Sequence, residues 1–154
     1  MRYIKKPKPK GCIFCTKPRQ DRDRKNYILY RGTHNFVMMN LYPYTTGHLL
    51  ITPYRHESKL EALDPDTLLE LMTLSQRSLV AIEAVLSPQG FNIGVNMGRV
   101  AGAGIEEHFH LHVVPRWNGD TNFMPFLAGV RVIPEHLDET YAKLIPHFKD
   151  KKRR

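Results

Sequence analysis

Seven consecutive residues constrain this chain more than any other stretch: His108-Phe109-His110-Leu111-His112-Val113-Val114, where imidazole and apolar side chains alternate. A period of two is the signature of a strand, whose successive side chains point to opposite faces. His108, His110 and His112 therefore share one face, about 6.6 Å apart per pair, and Phe109, Leu111 and Val113 point the other way into a core. Three imidazoles in a row are poor core material, because each carries two ring nitrogens that need partners. A lone histidine on an apolar strand is most simply a satisfied core residue. Three in register ask for a metal site or for a nucleophilic histidine.

The rest of the chain supplies neighbours for such a strand. Tyr27–Tyr30 and Phe36–Met39 flank a turn at Gly32-Thr33-His34-Asn35 and predict a hairpin. His48–Thr52 predicts a third strand stopped by Pro53, and Phe91–Met97 a fourth, followed by a glycine-rich loop at Gly98–Gly104 and the histidine strand at His108–Val114. From Pro65 to Leu86 the period is helical, with Asp64 as N-cap, Pro65 at the first position, and Pro88 and Gly90 ending it. Leu68, Leu71, Met72, Leu79, Ile82 and Leu86 form its predicted core face, with Glu70, Gln76, Arg77 and Glu83 mostly opposite. After a turn-rich loop at Pro115–Phe123, a short helix beginning near Pro134 closes the chain. The fold class expected is α+β: one domain with a mainly antiparallel sheet of about five strands, one long helix and a short C-terminal helix. That domain spans residues 11–148, between a basic arm at 1–10 and a basic tail at 149–154.

A length of 154 residues suits one domain with a real core. Against 15 Asp and Glu stand 23 Lys and Arg, a net charge of +8, and much of the excess lies at the two ends. These ends are either solvated tails or an electrostatic attraction for polyanions, and a small phosphate ester fits the charge as well as a nucleic acid. No zinc-finger array, basic zipper or RNA-recognition signature is present, and the basic segments lack interleaved aromatics, so a nucleic-acid partner is not expected. No apolar run reaches the ~20 residues of a membrane span, and no apolar stretch follows the basic N-terminus as in a secretory signal. Two cysteines, Cys12 and Cys15, are too few for a disulfide framework, which makes a reducing, cytoplasmic setting the expectation. As a Cys-x-x-Cys pair they are either half-buried thiols or part of a metal or redox site. A structural zinc needs four ligands, so two histidines would complete the set.

The histidine strand resembles the alternating pattern of the histidine triad family of nucleotidyl hydrolases and transferases. The resemblance continues through Asn40-Leu-Tyr-Pro43-Tyr-Thr-Thr-Gly47-His48-Leu-Leu-Ile-Thr-Pro53, Asn92-Ile-Gly-Val-Asn96 and Gly102-Ala103-Gly104. Pro115-Arg116-Trp117-Asn118-Gly119-Asp120-Thr121-Asn122-Phe123 is similar to the bacterial diadenosine tetraphosphate phosphorylase branch, and the likeness covers residues 11–125. A neutral imidazole, with an ordinary pKa of about 6.5, is a competent nucleophile near pH 7. Attack on an α-phosphorus splits one difficult displacement into two easier ones.

The family places that attack on the middle histidine, here His110, with His112 and His48 donating to phosphoryl oxygens. The resemblance further implies that Asn40, Asn96 and His112 bind the nucleotide and that backbone N–H groups of Gly102, Ala103 and Gly104 lie against phosphate. It implies a zinc held by Cys12, Cys15, His56 and His108, which makes His108 a ligand and not a catalytic group, and a divalent cation such as magnesium carried with the nucleotide. Its expected partners are a nucleoside polyphosphate, inorganic phosphate as co-substrate, and a second copy of the chain packed on the long helix and a central strand.

One departure bears on the reaction. Where many members carry Gln and a Ser or Thr whose hydroxyl assists the leaving group, this chain has Gly104 and Ile105. That favours a phosphorolytic second step, as in diadenosine tetraphosphate phosphorylase. The alternatives are a dinucleoside polyphosphate hydrolase, a nucleoside phosphoramidase, a non-catalytic nucleotide-binding regulatory module, and a zinc-stabilised nucleic-acid-binding domain.

Overall fold

Five strands form one antiparallel sheet in the order β1-β2-β3-β5-β4: β1 (Ile28–Arg31), β2 (Asn35–Met39), β3 (Leu49–Pro53), β4 (Gly90–Val95) and β5 (Leu111–Arg116). The computed structural model describes residues 11–120 and 135–149. The arm at 1–10, residues 121–123 of the predicted loop, the predicted helix start at Pro134 and the tail from 150 onward lie outside the described residues. Helices α1 (Ile13–Thr16) and α2 (Asp23–Asn26) precede the sheet, α3 (Pro65–Leu86) joins β3 to β4, and α4 (Leu137–Leu144) follows β5.

The two-residue period sorts the strands' side chains onto two cores. Val37, Met39, Leu49, Ile51, Leu111 and Val113 face α3, while Ile28, Phe36, Met38 and Leu50 face the opposite side, where Phe14 of α1 covers them. The central strands β2 and β3 are buried along their whole length because both faces are covered. Helix α3 starts as its sequence predicts: Asp64 accepts from the Thr67 backbone N–H at 2.9 Å, and Pro65 occupies the first turn. Gly47 has φ +80°, a conformation that residues with a Cβ rarely adopt, and a Cβ there would also press on Leu86 Cδ1 at 2.5 Å where the chain passes under the end of α3 into His48.

Three expectations need correction. Met72 is 55% exposed, and the core face of α3 is Leu71, Leu74, Ser75, Ser78, Ala81 and Ile82. Its small polar members bury because Ser75 and Ser78 donate to the Leu71 and Leu74 carbonyls one turn back. Glu70 does not face solvent. Its carboxylate accepts from the backbone N–H groups of Thr33, His34 and Asn35, each at 2.7 Å, and clasps the β1–β2 turn to α3. Lastly, β5 begins at Leu111 and not at His108. Continuing the ladder past Ile51↔Leu111 would set Phe109 opposite Pro53, which has no N–H to give. The Phe109 carbonyl accepts instead from Thr52 Oγ1 at 2.8 Å, and its N–H donates to the Glu57 carbonyl. The chain still alternates faces, so Phe109 reaches the α3 side and His108 and His110 the other.

Candidate functional site

On the face away from α3, the residue leading into β3, strand β5 and the extended residues before it bring His48, His110 and His112 into a row. Ring centroids lie 4.9 Å apart for His110 and His112, and 5.1 Å apart for His48 and His112. All three are buried. Their protonation follows from their partners. The Tyr44 backbone N–H donates to His48 Nδ1 at 3.1 Å, and the Asn40 amide lies 3.4 Å from the same atom. His48 Nδ1 is therefore the acceptor, and the proton sits on Nε2. That Nε2–H faces His112 Nδ1 at 2.9 Å, which leaves the second proton of the pair on His112 Nε2. His112 Nε2 is buried and has no hydrogen-bond partner among the described residues. It is a buried donor without an acceptor among those residues.

His110 carries the opposite arrangement. Its Nδ1–H donates to the His108 carbonyl at 2.8 Å, so Nε2 presents a lone pair. Burial pushes the pKa of all three imidazoles down, to about 3 for His48 and about 4 for His112, where neighbouring imidazoles add to the effect of burial. For His110 the bond to the His108 carbonyl works against burial, but the direction remains downward. The row is neutral at pH 7. A bare ring nitrogen beside a ring N–H can attack an electrophile and stabilise the oxygen that becomes negative.

A second cluster joins three distant segments. Sγ of Cys12 lies 3.3 Å from His108 Nδ1, Sγ of Cys15 lies 3.2 Å from His56 Nδ1, and the two imidazole Nδ1 atoms are 3.2 Å apart. Tetrahedral zinc with bonds of about 2.3 Å to sulfur and 2.0–2.1 Å to nitrogen has ligand–ligand edges of roughly 3.3–3.6 Å. The four donors thus already stand close to the corners of such a site. His108 Nε2–H donates to the Pro53 carbonyl at 2.8 Å, which fixes the lone pair on Nδ1, facing the cysteines. The donor set fits a metal ion. His108 stands in this cluster with Cys12, Cys15 and His56.

Asn96 and His112 line a common cavity, whereas Asn40 is tied to His48 and to the Tyr42 backbone N–H. Gly102 has φ +88° and lies beside the Asn96 amide, at 3.8 Å from where its Cβ would be. Ile105 packs on the Phe14 cluster, and none of the described residues stands within 4 Å of a Cβ at Gly104. Three neighbours of the row escaped the sequence reading. Phe14 packs on both His108 and His110, with centroids at 5.3 and 5.0 Å. Tyr44 lies 4.6 Å from His48 and nearly parallel to His112. Arg116 is held by Asp120 and Asn92. Phe14 and Tyr44 could have been found from their places inside Cys-x-x-Cys and just before Gly47-His48. Arg116 lies two strand periods beyond His112 on the same face.

Residues 22–119 match the HIT domain family. An AP-4-A phosphorylase of Mycobacterium tuberculosis is 44% identical over 118 residues, 77% of this chain and 60% of that protein. The chain thus matches only about three fifths of that relative's length. The asymmetrical bis(5'-nucleosyl)-tetraphosphatase of Schizosaccharomyces pombe is 34% identical over 93 residues, 60% of this chain and 50% of that protein. Among solved structures, a zinc-bound histidine triad family protein from Mycobacterium smegmatis superposes with a TM-score of 0.72 at 29% identity, covering 90% of this chain and 93% of that one. The family match runs from α2 through every strand of the sheet to the turn after β5, and so takes in the imidazole row with the scaffold that positions it. This chain belongs to the HIT domain family.

Proposed function

We propose that this chain cleaves dinucleoside polyphosphates through a nucleotidyl-His110 intermediate, and that its reaction is phosphorolysis of diadenosine tetraphosphate to ADP and ATP. The observation that supports it most is the opposed protonation of two adjacent rings: a lone pair on His110 Nε2 beside a proton on His112 Nε2. His110 Nε2 attacks the α-phosphorus; a P–N bond forms as the P–O bond to the departing ATP breaks. His112 Nε2–H donates to the phosphoryl oxygen where charge builds, and His48 holds His112 in the tautomer that can do so. An oxygen of inorganic phosphate then displaces the nucleotide from His110 as ADP. Asn40, Asn96 and the backbone of Gly102, Ala103 and Gly104 hold the nucleotide and its phosphates in this reading.

Support for phosphate over water as the second acceptor comes from Gly104 and Ile105, where no hydroxyl stands near the leaving oxygen, and from the M. tuberculosis relative's name. The S. pombe relative, a tetraphosphatase, keeps hydrolysis to AMP and ATP as the second reading. Incubation of diadenosine tetraphosphate with labelled phosphate separates the two: label in ADP, dependent on added phosphate, is the expected result. AMP formed at the same rate without phosphate would establish the hydrolase instead. His110→Ala is expected to lower turnover by at least 10³-fold, a size in keeping with loss of a nucleophile. Near-normal turnover by His110→Ala would defeat the mechanism, and tight binding with no product from the unmodified chain would make it a regulatory module.

Two further parts belong to this reading. Cys12, Cys15, His56 and His108 hold a zinc ion, supported by their donor geometry and by the zinc-bound M. smegmatis neighbour. With four protein ligands it supplies a cross-link and no reactive water. The chain acts as a homodimer, supported by Leu69, Met72 and Val80 exposed along α3 and by Ile93 exposed on edge strand β4.

A further inference from the structure

A cavity of about 400 Å³ begins at His112 and runs away from His110 along β4 and β5. Its floor follows from the register. His112, Val114 and Arg116 share a face of β5, and their partners on β4 are Gly94, Asn92 and Gly90. From His112 to Arg116 is about 13 Å of strand, enough for a base and its ribose. Among the described residues, a Cβ on either Gly94 or Gly90 would meet nothing within 4 Å, which leaves the floor open to them on the β4 side.

The cavity's two ends differ in chemistry. At the near end stands the buried His112 Nε2, without a partner among the described residues, beside the Tyr44 ring, which is 60% exposed. That ring lies 6.0 Å from the His112 ring at an interplanar angle of 9°. At the far end the Arg116 guanidinium is fixed by the Asp120 carboxylate at 2.6 and 2.7 Å and by Asn92 Oδ1 at 2.6 Å. An exposed aromatic ring above a polar, glycine-floored channel is suited to a nucleobase, which stacks on such rings whatever its edge pattern. The position is also right. In a dinucleoside polyphosphate one nucleotide is joined to His110, and the departing half must extend past the histidine that contacts the phosphoryl group.

We infer that this cleft binds the nucleoside of the departing half of the substrate, with its phosphates leading past His112 and its base stacked on the exposed ring of Tyr44. The inference rests on the reading of His110 as the nucleophile and names the part of the site that distinguishes a dinucleotide from a mononucleotide.

The test measures binding, so it stands apart from turnover. Two probes are titrated calorimetrically: a methylene-bridged, uncleavable diadenosine tetraphosphate, and adenosine 5'-tetraphosphate, which has the same number of phosphates and no second nucleoside. The unmodified chain is expected to bind the first about tenfold more tightly, the size of one base-stacking contribution. Gly94→Val fills the floor from a position with room for a side chain, and Tyr44→Ala removes the ring. Each is expected to bring the ratio of affinities close to one. A variant that merely disturbed the imidazole row would weaken both probes together and leave the ratio at ten, which would overturn the subsite, as would equal binding of both probes by the unmodified chain. If neither probe binds, the subsite falls along with the proposed function. A tenfold ratio that both variants abolish, with no turnover of native diadenosine tetraphosphate, would defeat the reaction and uphold the subsite.

Discussion

The backbone N–H of Tyr44, 3.1 Å from His48 Nδ1, fixes the proton on His48 Nε2 and through it the proton on His112 Nε2. Such a relay works only while both rings are neutral, and burial secures that by pulling their pKa values to about 3 and about 4. The sign of the consequence for stability is definite. Unfolded, each imidazole binds a proton below about pH 6.5; folded, neither does until the pH is far lower. The stabilisation is complete above pH 6.5 and is lost as pH falls from there toward 4 and then 3. Between pH 7.5 and 5.5 the two groups together are expected to cost about 2.7 kcal/mol of unfolding free energy, read from urea denaturation at the two values. Among the described residues the titratable groups beside His48 are His112 and Tyr44, with His110 next along the row. His48→Asn keeps an acceptor for the Tyr44 N–H and is expected to lose about half of this dependence. An unaltered pH profile in that variant would show that His48 is not held neutral by the fold.

At the scale of elements, α3 shows how a period can be legible while its assignment is not. Helix bounds, N-cap and first-turn proline are written in Asp64-Pro65 and the apolar recurrence, and the structure keeps them. The stripe read from sequence, however, included Met72, which the fold exposes, and missed Leu74, which it buries. Leu69, Met72 and Val80 make a second apolar stripe, and no local signal tells a core stripe from one that meets another copy. Leu69→Glu combined with Val80→Glu is expected to halve the mass measured by sedimentation equilibrium, with the far-UV circular dichroism unchanged. A monomeric unmodified chain would remove the dimer from the proposed function. The start of β5 differs from the sequence expectation for a related reason. Alternation at His108–His110 is real, but the ladder stops because Pro53 lies across from Phe109, and a period in one strand says nothing about the donors of its neighbour.

Over the whole molecule, the Cys and His cluster joins α1, the segment after β3 and the approach to β5, three stretches far apart in sequence. An ion there binds only the folded chain with all four ligands, so it stabilises by mass action. Zinc in hundredfold excess over its dissociation constant adds about 2.7 kcal/mol, or roughly 5–10 °C in Tm for a chain of this size. Cys12→Ser is expected to abolish that shift, and an unmodified chain whose Tm ignores both zinc and chelator would refute the site. The sequence by itself determined the imidazole alternation, the long helix with its cap, the antiparallel class and the chemistry of the candidate residues. Those features are local, set by side-chain period, cap and turn chemistry within a few residues. Only the tertiary structure decided which ring nitrogen carries a proton, where the ladder ends, that Phe14 and Tyr44 flank the histidines, and that a cleft opens beyond His112. Each of these depends on a partner supplied by a distant segment, and no periodicity along one stretch of chain encodes what another stretch will place against it.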